Sequence, residues 1–248
     1  MKLGYRFDGD PAAPTLVLSG SLGTTFGVWE RQLPLTERFR LLRYDHPGHG
    51  SSPPVDEPLS IGDLGAGVVT LLDEHELDRV SFCGLSLGGM VAMWLAIHAP
   101  ERIDRLVLCC TSAHLGPPEQ WQERAELVRR GGMATVADAV VGRWFTSGFP
   151  DRDRYRAMLL ATDPESYARC CEAIRDMDLR PELPRIVAPT VVIAAAEDPS
   201  TPVPHAETIV RAIAGSRLLV IPNAAHLANA ERPEPVNEAV LEHLAVAA

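Results

Sequence analysis

Residues 79–90 read RVSFCGLSLGGM and set one serine, Ser86, between Gly84 and Gly88, with Gly89 directly behind. Before it, Val80–Cys83 is a short run of β-formers. After it, Leu87–His98 is a long apolar helix pattern. Ser86 therefore falls where a buried strand passes into a helix. A side chain at that junction is presented at the carboxyl edge of a sheet only if the chain turns very sharply, which strains the central residue. The same turn drives the new helix against the strand, so Cβ atoms at 84 and 88 would clash, and Gly89 fits the same crowding. A G-x-S-x-G segment in this context is a nucleophile elbow. The helix starting at the serine points free N–H groups and its positive end into the site, and the Leu87 N–H is placed to meet an oxyanion.

A serine hydroxyl is a poor nucleophile without a base, and the base needs an orienting acid. On such a scaffold the chain order is Ser, acid, His, with acid and His after late strands. Val191–Ala195 leads into AEDPSTP, which offers Asp198 as the acid, with Glu197 as the backup. Leu218–Ile221 leads into PNAAHLANAERP, which offers His226 as the base. His75, His98 and His243 lie within or at the ends of helices and are expected at the surface. His46 and His49 fall in DHPGHGSS, His114 opens a helical segment, and His205 starts a helix. A second oxyanion donor is expected in the loop after an early strand. That strand is Thr15–Ser19, and counting back from Trp29 places the donor at Leu22.

Other near-continuous apolar runs are Leu41–Tyr44 and Leu106–Cys110. Strands of this kind read as covered on both faces. They alternate with helix-like Ile61–His75, Leu87–His98, Pro204–Ala214 and Pro233–Leu244, which predicts an α/β protein with a mostly parallel sheet and helices on both faces. Leu3–Phe7 is an expected antiparallel edge strand. From about His114 to Pro184 the rhythm breaks into helix-like blocks, Pro118–Arg130, Ala134–Phe145, Asp151–Leu160 and Pro164–Asp178. Inserts at the carboxyl edge of such a sheet lie where ligands bind. The expected organisation is a core of 1–113 and 185–248 with a helical lid, 114–184, inserted in it.

The 248 residues suffice for one sizeable core, and 46% apolar with 23% charged residues is an ordinary globular composition. A net charge of −10 argues against nucleic-acid binding through a general basic field. No apolar run approaches the ~18–20 residues of a membrane span. MKLGYRFDGDP has no apolar signal core, so a cytoplasmic location is expected. The five cysteines form no C-x-x-C pair. No metal site is expected from them; Cys83, Cys109 and Cys110 are expected to be buried and inert.

With these residues assembled, the chain resembles the α/β-hydrolase superfamily along nearly its whole length. More narrowly, it resembles the 3-oxoadipate enol-lactonases. The likeness is carried by SGSLGTTFGVWERQLP, LLRYDHPGHGSS, GLSLGGMVAMWLAIHAPERIDRLVLCCTSAHLG and the insert elements WQER…VRRGGMATVADAVVGRWFTSGF. Gly20 and Cys110 stand where the resemblance leads one to expect more polar residues. The resemblance implies a small anionic lactone as substrate, opened to 3-oxoadipate in aromatic degradation, and no metal or organic cofactor. The substrate carboxylate needs a partner, and an Arg fork suits it. Arg124 and Arg143, each near a tryptophan (Trp121 and Trp144), are the candidates. The same triad would also serve a general carboxylesterase, another small-ester hydrolase or a C–C bond hydrolase. A ligand receptor on the same scaffold is the non-catalytic alternative.

Overall fold

A computed structural model describes residues 1–245. Seven strands form one sheet: β1 (Tyr5–Asp8), β2 (Thr15–Ser19), β3 (Arg40–Tyr44), β4 (Val80–Leu85), β5 (Ile103–Cys109), β6 (Thr190–Ala195) and β7 (Arg217–Ile221). Their order is β1-β3-β2-β4-β5-β6-β7. β1 pairs antiparallel with β3, and every other pairing is parallel. The expected α/β fold with a mostly parallel sheet is therefore present. β2 and β4, at its centre, are buried because helices cover both faces.

β7 departs from the expectation of a strand covered on both faces. As the last strand it has a neighbour on one side alone, and Leu219 and Val220 are 37% and 39% exposed. The antiparallel edge strand starts at Tyr5, not Leu3, and β5 starts three residues earlier than the apolar run suggests and ends at Cys109.

Helices α1 (Ile61–Glu74), α2 (Leu87–His98), α7 (Val203–Ala212), α8 (Ala228–Glu231) and α9 (Pro233–Ala245) pack around the sheet. α1 starts on a capping box, in which Ser60 accepts from the Asp63 N–H and the Asp63 carboxylate accepts from the Ser60 N–H. α2 has little amphipathic character because it is buried almost all round, with Trp94 and His98 its only residues outside the buried class. His243, expected at the surface, is buried instead. α9 turns it inward, where Nε2 donates to the Pro189 carbonyl at 3.0 Å, and burial lowers its pKa. All five cysteines are buried and unpaired as disulfides.

Between β5 and β6 the chain runs through α3 (Pro118–Gly131), α4 (Ala134–Trp144), α5 (Arg152–Leu160) and α6 (Pro164–Asp176). α3 and α6 are clamped by Arg129, which reaches Glu165 at 2.7 Å and Glu172 at 2.5 Å. The two ends of this segment meet in a bridge between His114 and Asp178. Among the described residues no helix is long and apolar enough to cross a membrane.

Candidate active site

The carboxyl ends of β2, β4, β6 and β7 converge on one cavity, the usual ligand side of a parallel sheet. At the end of β4, Ser86 holds φ 55° and ψ −114°. Such a conformation costs about 1–3 kcal/mol and persists where the surroundings over-determine it. Here they do. The Ser86 N–H donates to the Cys109 carbonyl at 2.9 Å, and the Ser86 carbonyl accepts from Thr111 Oγ1 at 2.7 Å and from Gly89 and Met90 N–H at 2.9 and 3.1 Å. A Cβ on Gly84 would run into the Gly88 carbonyl, and a Cβ on Gly88 into the carbonyl of Ser19 in β2. Both contacts are backbone, which cannot rotate away. The glycines around Ser86 are therefore explained by close approach of strand and helix.

His226 follows β7 and Asp198 follows β6. His226 Nε2 lies 2.8 Å from Ser86 Oγ, and Nδ1 lies 2.8 Å from Asp198 Oδ2. The Asp198 carboxylate also accepts from the Ser200 and Thr201 N–H groups at 2.7 and 3.1 Å and from Thr201 Oγ1 at 2.7 Å. Burial, the largest single influence, pushes its pKa up. The His226 ring and the Thr201 hydrogen bonds outweigh it, and the net shift is downward. Asp198 thus stays ionised and fixes the His226 Nδ1–H tautomer, leaving Nε2 to face the hydroxyl. Glu197 is exposed, and its N–H donates to the Ala224 carbonyl. Glu231 braces the His226 loop from behind: it accepts from the Ala225 N–H at 2.8 Å and from the Thr146 N–H at 3.0 Å, joining that loop to the chain after α4.

The Leu22 and Leu87 N–H groups donate to no other described residue. Leu22 and Ser21 line the cavity together with Ser86 and His226. The cavity measures about 150 Å³. Trp121 and Arg124 from α3, Arg143 and Trp144 from α4, and Tyr167 from α6 line it as well. All four insert residues singled out in the sequence are thus brought to the serine. Arg124 sits 4.5 Å over the Trp121 ring. Arg143 is half-buried; burial first, and the Arg124 charge second, lower its pKa. Neither arginine pairs with a carboxylate among the described residues.

His46 and His49, which the sequence left without a role, lie directly behind the Gly20–Gly23 loop. His46 Nε2 is 3.0 Å from the Gly20 carbonyl, and His49 Nε2 accepts from the Gly23 N–H at 2.9 Å. Burial pushes their pKa values down to about 3 and about 4. No group of three or more His, Cys, Asp or Glu side chains among the described residues is placed to hold a metal ion.

The family model for the alpha/beta hydrolase fold matches residues 14–233. The chain belongs to this family. This hydrolase is 38% identical to 3-oxoadipate enol-lactonase 2 of Acinetobacter baylyi over 96% of its own length and 91% of the relative's. The crystal structure of the enol-lactonase from Burkholderia xenovorans LB400 superposes with a TM-score of 0.96 at 40% identity, covering 98% of this chain and 96% of that one. A putative carbamate hydrolase, RutD of Stutzerimonas stutzeri, is 30% identical over 95% of this chain and 93% of its own.

Proposed function

We propose that this hydrolase opens 3-oxoadipate enol-lactone to 3-oxoadipate through an acyl-enzyme on Ser86. The observation that carries the reading is the pairing, in one small cavity, of the Ser86–His226–Asp198 array with two arginines that lack an acidic partner. A neutral ester offers such cations nothing, whereas the acetate arm of the lactone offers a carboxylate. The likeness to two enol-lactonases supports the same choice.

In this reading Ser86 Oγ attacks the lactone carbonyl while His226 Nε2 takes its proton. The Leu22 and Leu87 N–H groups receive the oxyanion, each such donor contributing about 3 kcal/mol to lowering the barrier. The ring C–O bond then breaks. Its electron pair leaves on the enol oxygen, which His226 protonates, and the enol relaxes to the ketone. Because that leaving group is a stabilised enolate, this step is easier than for an alkyl ester. The ketone remains part of the acyl chain; a water deprotonated by His226 attacks the acyl carbonyl, the bond to Ser86 Oγ breaks, Oγ takes the proton back from His226, and the diacid leaves. Arg124 and Arg143 hold the carboxylate, with Trp121 and Trp144 walling the ring. Residues 114–184 act as a lid on a core of 1–113 and 185–248.

The test is the ratio of kcat/KM on the enol-lactone to that on an uncharged aryl ester and on a small carbamate. The lactone should lead by at least about 10-fold, the scale of one charged hydrogen bond lost on the neutral compounds. A lead for the carbamate would move the reading to the activity that RutD's name carries; a lead for the aryl ester would leave a general carboxylesterase.

A further inference from the structure

Two buried histidines sit behind the loop that carries the Leu22 N–H, and the reaction as written uses neither. The geometry fixes their protons. The Gly20 carbonyl can only accept, so His46, 3.0 Å away, carries its proton on Nε2. The Pro47 carbonyl can likewise only accept, so His49 carries its proton on Nδ1, 2.8 Å away, and offers a bare Nε2 to the Gly23 N–H at 2.9 Å. The two rings are 2% and 0% exposed.

The contacted groups are particular. The Leu22 N–H belongs to the Ser21–Leu22 peptide. The Gly20 carbonyl belongs to the peptide before it and the Gly23 N–H to the peptide after it. The Gly20 carbonyl also accepts the Gly88 N–H at 3.0 Å, so the loop is tied to the elbow helix at that same atom. The carbonyl of the Ser21–Leu22 peptide itself accepts from the Thr24 N–H and Oγ1 at 3.1 and 2.8 Å. Each peptide plane flanking the donor is thus held by one histidine, and the donor's own plane by Thr24.

We propose that His46 and His49 are positioning residues that aim the Leu22 N–H at the oxyanion. They act through backbone, touch no substrate atom, and serve the transition state without serving substrate binding. This rests on reading Ser86 as nucleophile and Leu22 as an oxyanion donor, so the assay uses p-nitrophenyl acetate, which asks only for acyl transfer, with Ser86→Ala as control.

His49→Leu keeps bulk and removes the acceptor; His49→Gln keeps an acceptor oxygen. His46→Leu and His46→Gln do the same for the donor. Since deleting one oxyanion donor costs about 100- to 1000-fold, misaiming it should lower kcat about 30-fold in the Leu variants, with KM held within about 2-fold. The Gln variants should recover to within about 3-fold of wild type. Folded Leu variants with kcat near wild type, KM rising in step, or Gln variants no better than Leu would each overturn the proposal. If Leu at 49 prevents folding, the pair at 46 carries the same comparison. A wild type that leaves the ester untouched overturns the reading of Ser86 and this inference with it; an active wild type with insensitive histidines overturns this inference alone.

Discussion

The same two histidines make stability fall as the solution is acidified. Both rings are neutral in the fold, with pKa values pushed from 6.5 to about 3 for His46 and about 4 for His49 by burial. In the unfolded chain each titrates near 6.5, so below that pH the unfolded state binds more protons than the folded one. The sign is therefore fixed: their contribution is complete above about pH 6.5 and is lost as pH falls towards 4. At pH 5 the unfolded chain binds nearly two more protons than the fold, and the loss between pH 7 and pH 5 is roughly 4 kcal/mol. That is a large part of the roughly 5–15 kcal/mol of a typical domain. Urea unfolding at pH 7, 6 and 5, on wild type and on the double variant His46→Gln, His49→Gln, isolates the contribution of the two rings. The other two histidines whose pKa burial lowers, the half-buried His205 and the buried His243, cancel in the comparison. The double variant should lose roughly 4 kcal/mol less across the window. Parallel curves, within about 1 kcal/mol, would refute the burial argument.

Asp198→Asn should leave the fold intact and lower kcat by about 10⁴, because an amide no longer enforces the Nδ1–H tautomer of His226; steady-state kinetics with a melting curve decides it. Gly88→Ala forces a methyl into the Ser19 carbonyl, where backbone cannot yield, and should cost at least about 1–3 kcal/mol in a thermal melt while displacing Ser86 and reducing activity. Arg124→Gln and Arg143→Gln should each raise KM for the anionic lactone about 10-fold or more and leave KM for p-nitrophenyl acetate unchanged, since only the former carries a charge for the fork to hold.

The meeting of Ser86, His226 and Asp198 was legible because its logic is local. Ser86 sits in a glycine-marked turn, and Asp198 and His226 each follow an apolar strand, so topology alone predicts that their loops share one edge of the sheet. The close packing behind Gly84 and Gly88 was legible for the same reason: a strand-to-helix turn leaves no room whatever the rest of the chain does. Trp121, Arg124, Arg143 and Trp144 were harder. A lone Arg on an amphipathic helix reads as a solvated charge, and only the packing of α3 and α4 over the sheet edge turns these four into one wall. The roles of His46 and His49 depend on contacts with Gly20 and Gly23, 26 residues away in sequence, which no local pattern encodes. His243 misled because a helix-terminal histidine is ordinarily exposed, and the inward face of α9 is decided by β5 and β6. β7 misled because an apolar run does not say whether a strand will be central or last in the sheet.

The most direct test of the central claim is the loss of ultraviolet absorbance of 3-oxoadipate enol-lactone on addition of wild type and of Ser86→Ala. Rapid loss with wild type, falling to the uncatalysed rate in the variant, is the predicted result and assigns lactone opening to the hydroxyl that the elbow exposes. Lactone left intact by wild type, or consumed equally by the variant, would contradict it.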